Sequence, residues 1–195
     1  MNEGAPDDVH KVRAFIGFGL PAAVAAVAAR RQARLREAWG ASRVGWSDPG
    51  NFHLTLVFLG ELDGPRLGEA QRVLRAVAPV RPAMRLTLGA PAAFPNPARP
   101  RVLVLRVGDE AGGLSDLHAA LVKAYAPLGY KPNHPVFFPH VTLGHVHHAD
   151  APAPGLTEAV EPPVTWRADR LSLFVGRETP AGLRYLPVDT RVFGG

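Results

Sequence analysis

The 195-residue chain has no cysteine, which excludes disulfide staples and thiolate metal sites and agrees with a reducing compartment. Lysine is nearly absent. Lys11, Lys123 and Lys131 are the whole complement, so almost all of the 22 basic residues are arginine. There is no Gly-x-Ser-x-Gly elbow to support serine-type acyl transfer. Nor is there a run apolar enough to cross a bilayer. The best candidate, Ala14 to Ala29, is too short and is broken by Gly17, Gly19 and Pro21. Glu3, Asp7 and Asp8 ahead of it spoil the positive start of a secretory leader. A soluble, cytoplasmic protein with no membrane attachment is therefore expected.

What is present fits a globular chain: 47% hydrophobic and 20% charged residues, with 20 glycines and 20 prolines that call for many short elements and turns. The length suffices for one domain over residues 1–195, built as two lobes. The net charge of +5 rests on arginine, which forms bidentate pairs with phosphate. An anionic or nucleic-acid partner fits this charge, and so does a solvated surface, so charge alone does not decide.

The periodicities give a strand from Val12 to Phe18, a helix from Pro21 to about Trp39 and a loop from Arg43 to Asn51. A strand from His53 to Leu59 and a helix to about Ala78 follow, then strands over Met84–Gly89 and Arg101–Val107 with an irregular Phe94–Pro100 loop between them. A helix from Gly112 to about Leu128 precedes a loop and a strand beginning near Val136. His147 to Pro163 reads as a surface connection, and Leu171–Val175 with Leu183–Val188 as a hairpin across Gly176 to Gly182. The order points to an α+β fold, mainly antiparallel, with two lobes of sheet facing one another across a central cleft and helices outside.

Within that frame one tetrapeptide recurs, His53-Leu54-Thr55-Leu56 and His140-Val141-Thr142-Leu143. Random placement would give about 0.06 such motifs in a chain of this composition, so two copies in matching apolar runs are not incidental strand residues. In a strand, residues two apart share a face. Each histidine therefore sits beside its threonine, and two imidazoles with two hydroxyls can converge on one site. One imidazole can accept a proton while the other donates one. The hydroxyls can hydrogen-bond to the non-bridging oxygens of a phosphoryl group. Such an array suits phosphodiester cleavage in which His53 and His140 are the acid and base, Thr55 and Thr142 hold the phosphate, and no metal or cofactor is needed.

A second cluster, His145, His147 and His148, invites a zinc reading. Alternation places His145 and His147 on the face opposite His140, and no acidic ligand lies in the segment, so no metal is expected there. Phe52, Phe58 and Phe138 read as core. Phe94, in its Pro-rich loop, and Tyr185, on a late strand, could stack on a nucleobase, against the plainer reading that they only pack within the protein.

The paired motif resembles the signature of the 2H phosphoesterase superfamily, and most closely the bacterial and archaeal RNA 2′,3′-cyclic phosphodiesterases, also called 2′-5′ RNA ligases. The likeness extends to Arg13-Ala14-Phe15-Ile16-Gly17-Phe18-Gly19-Leu20-Pro21, to Asn51 through Glu61, to the Phe94-Pro95 loop with the strand after it, to Phe138 through Gly144, and to the closing hairpin. The resemblance implies hydrolysis of RNA 2′,3′-cyclic phosphate ends to 2′-phosphates, with reversible 2′-5′ RNA ligation as a secondary activity. It gives His140 the role of base and His53 that of acid. Related enzymes acting on small cyclic nucleotides or 2′-5′ oligonucleotides, and a non-catalytic RNA-binding module, are the competing readings. One departure stands out. Many relatives carry an arginine after the second motif where this chain has His145, so His145 itself, or an arginine such as Arg99 or Arg177, is expected to contact the phosphate. A monomer is expected.

Overall fold

Alternating and helical apolar patterns resolve, in the computed structural model, into β1 (Val12–Gly19), α1 (Ala22–Trp39), β2 (Val44–Trp46), β3 (His53–Leu62), α2 (Gly64–Val77), β4 (Met84–Phe94), β5 (Val102–Gly108), α3 (Gly113–Tyr125), β6 (His140–Val146), β7 (Val164–Ala168), β8 (Arg170–Thr179) and β9 (Gly182–Val192). The structure describes residues 11–39, 42–78, 82–132, 136–147, 155–156 and 162–193. The described strand pairs are all antiparallel and join into one sheet, ordered β7-β4-β5-β6-β3-β1-β8-β9, with β2 also paired to β6.

That order is a palindrome about the junction of β3 with β6. Each is flanked by the strand that opens its own strand–helix–strand unit, β1–α1–β3 in one half and β5–α3–β6 in the other. The α+β fold with two related halves is thus what the structure contains.

The helices cover one face of this sheet. In α1 the stripe Val24, Val27, Ala28, Leu35 and Trp39 is buried, and in α3 the stripe Leu114, Leu117, Leu121 and Tyr125. They pack on Ile16, Leu54, Leu86, Leu103, Leu105, Val141 and Leu173, all fully buried. Each such leucine or isoleucine stabilises the fold by roughly 1.5–3 kcal/mol. The start of α2 is set by Asp63, whose carboxylate accepts from the Arg66 amide at 2.9 Å, with Pro65 in the first turn.

Two polar residues lie inside the α1 stripe. Arg31 donates to the carbonyls of Gly89 at 2.8 Å and Pro162 at 3.2 Å. Gln32 donates to those of Ser47 at 2.7 Å and Leu143 at 2.9 Å. Buried donors with carbonyl partners fix the helix on the sheet more specifically than apolar contact alone.

Several boundaries differ from the sequence reading. β6 begins at His140 rather than near Val136, because Pro139 lacks an amide to continue the ladder backwards. β2 forms inside the expected Arg43–Asn51 loop by pairing with β6. β4 runs on through Pro91 to Phe94 by means of a register shift between Leu88 and Pro91. β7 was not anticipated. The β8–β9 hairpin is longer than expected, since Gly176 pairs within the strand and the chain reverses just before Gly182, whose φ of 92° is open to glycine. Most of the expected His147–Pro163 connection lies outside the described residues.

Candidate active site

β3 and β6 meet at one bridge, Leu54 with Val141, both fully buried against the helices. Alternation turns the flanking residues the other way, so His53, Thr55, His140 and Thr142 all stand half-buried on the face the helices leave uncovered. Because the strands are antiparallel, His53 lies on the side of Thr142 and Thr55 on the side of His140. Each histidine faces the other motif's threonine.

Both strands then break their alternation at the same place. Ile16 pairs with Val57 but Gly17 with Thr55, which leaves Leu56 as an inserted residue. Leu103 pairs with Gly144 but Val104 with Thr142, which leaves Leu143 inserted. In each half the bulge is the third residue after the histidine. A bulge resets the side-chain parity, so Phe58, paired with Phe15, and His145, paired with Val102, return to the cleft face. This corrects the expectation that His145 points away from His140. His147 follows it, since a Cβ added to Gly45, the partner of His145, would lie 3.1 Å from the His147 ring. The Leu143 carbonyl at the second bulge accepts from both Ser47 N and Gln32 Nε2 at 2.9 Å. The first half achieves its close approach with Gly17, where any Cβ would collide with the Leu54 carbonyl.

The two imidazoles are held alike. His53 Nδ1 lies 2.6 Å from the carbonyl of Asn51, and His140 Nδ1 lies 2.6 Å from that of Phe138. A carbonyl only accepts, so each Nδ1 carries the proton and each Nε2 is left as the basic nitrogen. Among the described residues neither Nε2 has a hydrogen-bond partner. Burial lowers both pKa values below the ordinary 6.5, and the carbonyl bonds oppose the shift in part. The charges of His140 and Arg13 push His53 down further, which places all three groups in one electrostatic neighbourhood.

The walls of the cleft differ. His53 stacks on Phe15 at 4.3 Å between ring centroids and meets the edge of Tyr185 at 5.1 Å, with Phe174 behind. The β9 hairpin is tied there by Asn51, whose side chain donates to the Leu183 carbonyl at 2.7 Å and accepts from Tyr185 N at 3.1 Å, and by the Arg184–Asp48 ion pair at 2.7 Å. His140 instead contacts Phe94 at 5.3 Å and lies cross-strand from Arg106, whose guanidinium sits 5.4 Å from the Phe138 ring.

The geometry is that of a known family. The family model described as the 2′-5′ RNA ligase superfamily matches residues 25–180. The chain belongs to the 2′-5′ RNA ligase superfamily. It is 29% identical to the RNA 2′,3′-cyclic phosphodiesterase of Methanothermobacter thermautotrophicus, over 94% of this chain and 98% of the relative. It is 36% identical to the enzyme of the same name from Aeropyrum pernix, over 51% of this chain and 55% of the relative, so that match spans about half of each. Among solved structures, TT0787 of Thermus thermophilus superposes with a TM-score of 0.74 at 26% identity, over 92% of this chain and 97% of that one.

Of the remaining superfamily expectations, Arg177 is exposed and points away from the cleft, because its neighbour Gly176 is the residue turned toward Tyr185 and Arg13. Arg99 is exposed in the Asn96 turn, its amide donating to Asn96 Oδ1 at 3.0 Å. Phe52 is core, but Phe58 and Phe138 lie half-buried on the cleft side, the bulge having turned Phe58 there. Among the described residues no group of three or more His, Cys, Asp or Glu is arranged to hold a metal ion; His148 lies outside them. No described helix is long and apolar enough to cross a membrane.

The sequence reading passed over Asn51, Gln32, Arg13 and Arg106. The signals were there for two of them: Gln32 falls on the apolar stripe of α1, and Arg13 shares strand parity with Phe15 and Gly17.

Proposed function

We propose that this chain hydrolyses 2′,3′-cyclic phosphate ends of RNA to 2′-phosphates by two-histidine acid–base catalysis, without a metal, as a cytoplasmic monomer whose two lobes form one domain. The observation that carries this reading is the matched pair of imidazoles, each with Nδ1 committed to a main-chain carbonyl two residues back and Nε2 left free on one cleft. His140 Nε2 takes a proton from water as its oxygen attacks phosphorus. The bond from phosphorus to the 3′ oxygen breaks, and His53, doubly protonated at the start of the step, gives its Nε2 proton to that oxygen. Thr55 and Thr142 donate to the non-bridging oxygens as charge builds on them. Solvent returns the two rings to their starting states. The same course with a 5′-hydroxyl in place of water joins the two ends through a 2′-5′ linkage, His140 again the base and His53 again the acid.

The test is end-group analysis of a labelled RNA carrying a 2′,3′-cyclic phosphate, incubated in EDTA. A 2′-phosphate product from the native chain, lost in the His53→Ala/His140→Ala double variant, supports the reading. Unchanged ends, or full activity in the double variant, would refute it. Turnover of cyclic mononucleotides alone would move the assignment to a small-nucleotide enzyme of the same chemistry.

A further inference from the structure

Position 58 and position 145 are counterparts, each the first cleft-facing residue beyond its bulge. In the second half that place holds His145, exposed. In the first it holds Phe58, and the Arg13 guanidinium carbon lies over the ring, 4.7 Å from its centroid. We propose that Arg13, laid on Phe58, forms an anion subsite that binds the non-bridging oxygens of the substrate's phosphate from the first half of the cleft.

Three observations converge on it. Arg13 shares the cleft face with Phe15 and Gly17, and its β8 neighbour on that face is Gly176, where an added Cβ would lie 3.7 Å from the Arg13 Cβ. Among the described residues no carboxylate lies within ion-pair distance of Arg13; Glu61, its cross-strand neighbour, does not pair with it. A guanidinium stacked by its face keeps its edge N–H groups for a phosphate. Its charge also reaches His53, whereas no arginine acts in this way on His140. Of the other arginines, Arg184 pairs with Asp48, Arg177 is exposed on the side of its strand opposite Gly176, Arg99 sits in an exposed turn, and Arg106 lies over Phe138 in the other half.

This inference rests on the phosphodiesterase reading but is tested without turnover. Inorganic phosphate is titrated into the native chain and its variants while the imidazole C–H resonances of His53 and His140 are followed by NMR. Phosphate should move both rings in the native chain. Arg13→Gln should weaken its binding by about tenfold or more, the scale of a lost charge-assisted hydrogen bond. Arg13→Lys should recover part of that loss, and Arg177→Gln should bind as the native chain does. Unaltered binding in Arg13→Gln, no binding to the native chain, or equal loss in Arg177→Gln would each overturn the subsite. If the phosphate pattern holds while RNA ends stay uncleaved, the subsite stands and the proposed reaction falls.

Discussion

Around His53 the cleft is lined by Phe15 and Tyr185, with the β8–β9 hairpin alongside; around His140 it is lined by Phe94 and Phe138, with Arg106 and His145 at hand and Gln32 bracing the strand from behind. Yet the backbone geometry is the same in both halves: a histidine bonded to the carbonyl two residues earlier, a threonine two residues on, and a bulge after that. What the halves share is an imidazole held by Nδ1 with its Nε2 turned to the cleft. Where they differ is in what holds the strand still. The first motif is fixed by Asn51 clamping a neighbouring hairpin, and the second by a buried glutamine that reaches the bulge carbonyl.

The largest effect that would sharpen this comparison comes from the histidines themselves. His53→Ala and His140→Ala should each lower kcat/KM by about 10²–10⁴, with opposite pH signatures. Both pKa values lie below 6.5 because burial disfavours the charged rings. The base works above its own pKa and the acid only below its own. The native kcat/KM should therefore decline as pH rises above about 6.5. Loss of His140 should remove the acid-side rise from the residual profile, and loss of His53 the alkaline-side fall. The same limb vanishing in both variants would contradict the assigned roles.

Next come the hydroxyls. Thr55→Val and Thr142→Val should each cost about 10- to 100-fold in kcat/KM, the scale of a lost transition-state donor. Comparable losses fit a symmetric grip on the phosphate, while a loss confined to one would break the symmetry.

Smaller effects probe the supports. Gln32→Leu abandons the Leu143 and Ser47 carbonyls in a buried place and should cost about 1–3 kcal/mol in chemical denaturation. Asn51→Ala, at a more exposed clamp, should cost less than about 1 kcal/mol yet reduce kcat as Tyr185 loses its anchor beside His53. Similar stability losses in both would mean that the halves are braced alike. Smallest of all, exposed His145→Ala should change KM by about threefold or less, because its side chain stands at the solvent edge of the cleft.

The motif, its strands and the helices were legible because they obey simple periods. The apolar stripe of α3 and the His-x-Thr alternation needed only spacing. His145 was misplaced because one inserted residue, Leu143, reverses a period of two and leaves no mark in the local composition. The same reversal, at Leu56, puts Phe58 on the cleft face although its spacing reads as core. Asn51 and Gln32 act on residues far away in the chain, Leu183 at 132 positions and Leu143 at 111. Such contacts become visible only once the sheet has closed.

The most direct test of one shared site is a double-mutant cycle on the two histidines, with kcat/KM on cyclic-phosphate RNA measured for the native chain, each single alanine variant and the double. If the halves form one proton-transfer device, the double variant should fall little further than the worse single variant, because removing either ring already disables the exchange. A double loss equal to the product of the two single losses would mean that the histidines act independently, and would contradict the single site.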